Sequence, residues 1–229
     1  MKNYTRLEVA ARIDHAALKP ETTADDLRRD AEMCIRERVA SLCVRPCDVA
    51  LAERLLRGSG VGVSCVLSFP HGADVSEVKA HQARRAVDDG AAEIDMVMNI
   101  GRFLSGDCNY VSDDIRAVVL AARSAGAKVK VIQESGLLSA EQIAAACELS
   151  LAAGADFVKT STGFGKGGAT PEIIAVMLRA VGGKMGVKAS GGIRDWATAT
   201  GYLRQGVDRL GVGATEAVLA GCELLPDSA

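Results

Sequence analysis

Eight short apolar or β-branched runs alternate with eight stretches of helical spacing along this chain, with no linker or low-complexity tract between them. The runs lie at about 11–15, 40–45, 61–69, 92–98, 128–134, 155–160, 185–190 and 207–212. The helical stretches lie at 23–37, 46–57, 74–89, 109–125, 139–153, 170–181, 194–205 and 214–220. Helix starts are marked by Thr22-Thr23 before Asp25-Asp26, by Ser139 before Glu141-Gln142, and by Thr170-Pro171-Glu172. Gly90, Gly126 and Gly154 each stand just past a helical stretch, where a left-handed residue ends a helix at least cost. Short loops in an unbroken strand–helix series predict an α/β fold, a single (β/α)8 barrel over residues 1–229 with the helices outside. An open doubly wound sheet is the alternative that the same alternation allows.

Composition narrows the function classes. Of the 229 residues 48% are hydrophobic, enough for a sizeable core. The 27 basic and 29 acidic residues leave a formal net charge of -2, and aromatics make up 3%, which argues against a nucleic-acid partner. Seven cysteines, an odd number without a CxxC pair, read as reduced thiols. The N-terminal stretch "MKNYTRLEVAARIDH" lacks the apolar core of a signal peptide, and no apolar segment is long enough to cross a membrane. The expected location is the cytoplasm, with no membrane partner.

Barrel chemistry gathers at the C-terminal ends of the strands. Those ends carry Asp14-His15, Cys43 and Arg45, Ser68, Asp95, Glu134, Lys159 and Lys188. Strand alternation puts Phe157, Lys159 and Ser161 on one face, Gly186, Lys188 and Ser190 on another, and Glu93, Asp95 and Val97 on a third. Lys130 and Glu134 likewise share a face. An internal salt-bridge network would account for any one of these carboxylates. Two lysines on neighbouring strands are harder to explain that way, because close ammonium groups repel and one is relieved by losing its proton. A neutral, enclosed amine attacks carbonyl carbon and forms a Schiff base. Asp95 would then move protons as the carbinolamine forms and collapses.

Other motifs have rival readings. "GFGKGG" at 163–168 fits G-x-G-x-x-G, but Lys184 and Lys188 stand about where a dinucleotide fold needs an acidic ribose partner. The glycine-rich turns at 163–168, 190–192 and 211–215 can instead cradle a phosphate through free backbone N–H groups, or simply make tight strand-to-helix turns. The three histidines, His15, His71 and His81, have no metal-ligand spacing, so no metal is expected. Cys43 reads as a buried thiol or as a substrate-side group.

Taken together, a set of segments resembles the deoxyribose-phosphate aldolases, a family of class I, Schiff-base aldolases. The segments are "IDHAALKPETT" at 13–23, "LCVRP" at 42–46, "VLSFPHGADVSEVKAHQA" at 66–83, "EIDMVMNIGRFLSGD" at 93–107, "KVKVIQESGLL" at 128–138, "GADFVKTSTGFGKGGAT" at 154–170 and "VKASGGIRD" at 187–195. The resemblance implies Lys159 as the Schiff-base lysine, Lys188 as the lysine that keeps it deprotonated, and Asp95 as proton donor and acceptor. It implies reversible cleavage of 2-deoxy-D-ribose 5-phosphate to D-glyceraldehyde 3-phosphate and acetaldehyde, without metal or organic cofactor, in a homodimer or homotetramer. The substrate- and phosphate-binding set expected with it is Gly163, Gly191, Gly192, Gly211, Gly213, Cys43, Arg45 and Thr160. Four departures stand out: Gly213-Ala214 where the family usually has two serines, Arg45 where Asn or Tyr is common, Ala16 for a frequent threonine, and Gln133 for an aliphatic residue. Arg45 offers a guanidinium to replace the lost hydroxyls, or marks a relative acting on another aldehyde or sugar phosphate. A non-catalytic barrel that senses a ligand is the reading from a different class.

Overall fold

The computed structural model describes residues 3–222. Eight strands close into one parallel barrel in sequence order: β1 (Ile13–Ala17), β2 (Ser41–Val44), β3 (Gly62–Leu67), β4 (Glu93–Val97), β5 (Lys128–Ile132), β6 (Phe157–Lys159), β7 (Gly186–Ser190) and β8 (Arg209–Val212). β1 pairs with β8 as well as β2, so the sheet has no free edge and the open doubly wound alternative does not hold. The helices are α1 (Arg6–Ala10), α2 (Ala24–Glu37), α3 (Val49–Leu56), α4 (Ser76–Asp88), α5 (Ile100–Leu104), α6 (Cys108–Arg123), α7 (Ala140–Ala152), α8 (Pro171–Val181), α9 (Trp196–Gln205) and α10 (Thr215–Ala220).

Caps set these boundaries. Thr23 and Asp26 form a reciprocal capping box at α2, and Ser139 and Gln142 form another at α7. The Thr170 hydroxyl accepts from the Ile173 N–H, with Pro171 in the first turn of α8. Gly90, Gly126 and Gly154 take φ of 109°, 77° and 88°, where a side chain is disfavoured. Two short helices fall outside the predicted stretches. Thr5 and Glu8 box the start of α1, and Arg6 donates to the Leu219 carbonyl at 2.8 Å, tying α1 to α10. Asn99 caps α5, which precedes α6 within what reads in sequence as one loop.

The strands carry two cores. Outward residues such as Leu42, Cys65, Ile94, Met96, Val131, Val158, Val187 and Leu210 are buried under the helices in one continuous apolar layer. Each such aliphatic side chain contributes about 1.5–3 kcal/mol by leaving water. A one-residue slip of any strand would turn that set inward, so this layer fixes the register. The register in turn aligns the inward residues: Asp95 with Lys130, Lys159 with Lys188, and Lys188 with Arg209.

One buried ion pair lies outside the barrel. Lys79 of α4 donates to Asp114 of α6 at 2.6 Å and to the Val97 carbonyl at 3.1 Å, and the Ser76 hydroxyl donates to the other Asp114 oxygen at 2.9 Å. Both partners are fully buried.

Candidate active site

Inward alternation on six strands brings seven charged side chains into one layer. The Asp95 carboxylate sits at its centre, with Lys130 2.7 Å from one oxygen and Lys159 and Lys188 2.8 and 2.7 Å from the other. Lys188 also lies 2.5 Å from Asp14. Lys130 is 2.5 Å from Glu93 and 3.5 Å from Asp14. Arg209 pairs with Asp14 and, at 2.9 Å, with Glu93.

Partner numbers separate the four cations. Lys130, Lys188 and Arg209 each pair with two or three carboxylates, whereas Lys159 pairs with Asp95 alone among the described residues. Four cations facing three carboxylates leave one positive charge uncompensated in a buried site. The cheapest relief is loss of the proton held most weakly. Burial, helped by the nearby Lys188 charge, pulls the Lys159 amine below its ordinary value against the attraction of Asp95. Burial would lower Lys188 too, but Asp14 and Asp95 outweigh it and hold that amine above its ordinary value. Burial alone would raise Asp95, yet Lys130, Lys159 and Lys188 hold it far below the usual carboxylate range. One amine is therefore held below its ordinary value beside a second held above it.

A cavity of about 830 Å³ opens onto this layer. Asp14, Lys159 and Lys188 line its depth with Cys43, whose thiol burial pushes up. Gly163, Gly191, Gly192, Gly211 and Gly213 line it, and Lys19 and Arg194 add exposed cations to it. Two of the glycines are required by space. A Cβ on Gly191 would lie 2.9 Å from the Gly168 Cα, at φ 85°. A Cβ on Gly211 would lie 2.8 Å from that of Ser190 and 3.3 Å from the Lys188 Cε. Thr162 also lines the cavity, held by Glu134, which accepts from the Thr162 N–H at 3.3 Å and from its hydroxyl. Glu134 adopts the left-handed conformation, φ 52°, in doing so.

Two of the expected site residues are placed elsewhere. Arg45 does not reach the glycine-lined cavity. It donates to Asp48 at 2.6 Å and to the carbonyls of Lys19, Pro20 and Thr22, clamping the loop after β1 to the loop after β2. Thr160 faces away from the lysines and locks β6 to β7, its hydroxyl donating to the Ser190 carbonyl and accepting from the Ser190 N–H. Conversely, Arg209, Thr162 and Arg194 join the site without having been singled out for it, and Asp14 and Lys130 join it without having been given a role. Lys130 and Asp14 were visible as ionisable residues of the right strands, but which carboxylate meets which lysine depends on register. Among the described residues no three His, Cys, Asp or Glu side chains are grouped to hold a metal ion, and no helix is long and apolar enough to cross a membrane.

Comparison with known proteins places the chain among aldolases. The family model described as DeoC/LacD family aldolase matches residues 9–208. A deoxyribose-phosphate aldolase of Clostridium perfringens is 47% identical over 214 residues, covering 93% of this chain and 95% of the relative. One from Thermococcus gammatolerans is 45% identical over 217 residues, covering 94% and 96%. Among solved structures, a deoxyribose phosphate aldolase from Aeropyrum pernix, described as having a unique tetrameric structure, superposes with a TM-score of 0.90 at 32% identity over 96% of this chain and 94% of that one.

Proposed function

Since this chain belongs to the DeoC/LacD family of aldolases, with deoxyribose-phosphate aldolases as its relatives, we propose that it reversibly cleaves 2-deoxy-D-ribose 5-phosphate through an imine on Lys159. The observation that carries this reading is the charge arithmetic of the buried layer, in which Lys159 alone has a single carboxylate partner and also lines the cavity.

The steps follow from that geometry. The neutral Lys159 amine adds to the C1 aldehyde of the open-chain sugar, and loss of water from the carbinolamine gives the iminium. Asp95 bridges Lys159 and Lys188 through one oxygen, at 2.8 and 2.7 Å, so a proton can pass among the three groups as water leaves. Removal of the C3 hydroxyl proton lets the C2–C3 bonding pair flow into the iminium. D-Glyceraldehyde 3-phosphate departs and an enamine stays on Lys159. Protonation of the enamine at C2, then hydrolysis, releases acetaldehyde and returns the amine. The phosphate is assigned to the part of the cavity lined by Gly191, Gly192, Gly213 and Arg194, where backbone N–H groups and the guanidinium would share its charge.

Borohydride trapping tests the reading. In the presence of acetaldehyde and borohydride the chain is expected to gain a reduced two-carbon adduct on Lys159 and lose activity. An unmodified Lys159 in an enzyme that still cleaves the sugar phosphate would rule it out. One observation favours a Schiff-base aldolase of another aldehyde: Gly213 and Ala214 line the cavity without a hydroxyl. Comparing deoxyribose with its 5-phosphate as substrates separates the two, a strong preference for the phosphate supporting the first reading. Cytoplasmic location and a homodimeric or homotetrameric state belong to the same proposal, and light scattering on the purified chain tests the latter.

A further inference from the structure

The mouth of the barrel holds a second cavity, of about 570 Å³, on the side of β2 and β3. It shares Leu18 and Phe164 with the first, so the two chambers adjoin. Its chemistry is different. Leu18, Val66, Phe69 and Pro70 make its walls largely apolar. Among the described residues its one lysine or arginine, Arg45, already donates from all three guanidinium nitrogens to Asp48 and three carbonyls, Asp74 adds a carboxylate, and His71 and Gln82 add an exposed imidazole and an amide. A phosphorylated ligand would find no free lysine or arginine there, and an uncharged one needs none.

The chamber also reaches toward the chemistry. Val66, in its wall, is the register partner of Asp95, and Val66 packs with Leu18 and Cys43 as a small apolar cluster inside the barrel. Over it the half-buried Phe69, from the loop after β3, meets Phe164, from the loop after β6, edge to face with centroids 5.2 Å apart and planes at 84°. Those loops follow strands three positions apart in the barrel, so the aromatic pair bridges the mouth and forms part of the partition between the chambers. Phe164 is 49% exposed, and its loop carries glycines at φ 83° and 85° on either side of it, at Gly163 and Gly167. No core packing requires an aromatic ring at that position.

We propose that the second cavity is a subsite for the aliphatic chain of an uncharged aldehyde bonded at Lys159, and that the Phe69–Phe164 pair sets how long that chain can be. The inference rests on the Schiff-base reading above. Phosphorylated substrate then occupies the glycine-lined chamber, whereas an aldehyde without an anionic group lays its chain into the apolar one.

The test is borohydride trapping with an n-alkanal series from acetaldehyde to hexanal, read by mass spectrometry as adduct on Lys159. Three proteins are compared: wild type, Phe164→Ala, which opens the partition, and Ala73→Trp, which fills the chamber from an exposed position in its lining. The hexanal-to-acetaldehyde ratio is expected to rise about tenfold in Phe164→Ala and to fall by a similar factor in Ala73→Trp, the scale on which apolar pockets discriminate chain length. Ratios within twofold of wild type in both variants overturn the inference. The acetaldehyde adduct on wild type is the separate readout of the lysine chemistry. Its absence overturns the aldolase reading and this inference with it, whereas an adduct with unmoved ratios overturns the inference alone.

Discussion

Lys79 and Lys159 are both buried lysines, and burial pulls both amines below their ordinary value. They differ in everything else. Lys79 has its own carboxylate, Asp114, a backbone carbonyl as second acceptor, and a place between helices that neither cavity touches. Lys159 shares its only carboxylate among the described residues with two other ammonium groups and opens onto a cavity of about 830 Å³. A depressed amine is thus no sign of chemistry by itself. The excess of cations over carboxylates, together with access for a carbonyl compound, is what separates a nucleophile from a strut.

Substitution at Lys159 is expected to break the comparison most sharply. Lys159→Met should lower retro-aldol turnover by about four orders of magnitude or more, as loss of a covalent nucleophile does. The same change should stabilise the fold, by about 0.5–2 kcal/mol at neutral pH, because it removes the uncompensated cation. Since the amine's folded value lies below its unfolded one, the native state disfavours the proton and the lysine costs stability at neutral pH. That cost fades as pH rises through the ordinary lysine range, so the gain measured by denaturant titration should shrink at alkaline pH. A Lys159→Met protein that is less stable than wild type would contradict the charge argument.

Lys79→Met should do the reverse. Leaving Asp114 buried without its cation is expected to cost about 3–5 kcal/mol in urea unfolding, while kcat/KM of the folded protein stays within twofold. Adding Asp114→Leu should return most of that stability, since apolar replacement of a whole buried pair is often near neutral. Failure of the double variant to recover would mean that Ser76 and Val97, not the pair, hold α4 to α6.

Lys188→Met sharpens the comparison within the barrel. It leaves three carboxylates facing three cations, so Lys159 keeps its proton to higher pH. The acid limb of the pH–kcat/KM profile should move up by about one unit or more, with a loss of roughly tenfold or more near neutral pH. A limb that stays in place would remove Lys188 from the role assigned to it.

The smallest effect is expected at Arg45. Arg45→Ala should leave the preference for phosphorylated over unphosphorylated sugar unchanged within twofold, because its nitrogens are engaged with loop carbonyls and Asp48. Arg194→Ala should raise KM for the phosphorylated sugar about tenfold or more, as loss of a charge-assisted contact does. Equal effects of the two would merge the two chambers into one.

What could be read in advance follows the range of the forces involved. Strand and helix alternation, the caps at Thr23, Ser139 and Thr170, and the glycine stops are local features, and the structure places them close to where the sequence does. The inward set on β4, β6 and β7 followed from period two alone, which is why Asp95, Lys159 and Lys188 could be named together. The short helices α1 and α5 escaped because five residues carry too little periodicity to stand out. Arg45 and Thr160 were misplaced for another reason. Both sit at strand ends near the mouth, but their direction depends on acceptors supplied by segments distant in sequence, the carbonyls of Lys19, Pro20 and Thr22 for one and Ser190 for the other. The pairing of Lys130 with Asp95 and of Asp14 with Lys188 likewise exists only once neighbouring strands are aligned.

Gly211 has a consequence of its own. A methyl group here would meet the Ser190 Cβ and press on the stem of Lys188, so the seating of the second ammonium is set partly by an atom that is not there. Any enlargement at this place would have to shift the end of β7 that carries Ser190 and push against that stem. The proton path is therefore vulnerable to a substitution at a position that itself bears neither charge nor hydrogen-bonding side chain.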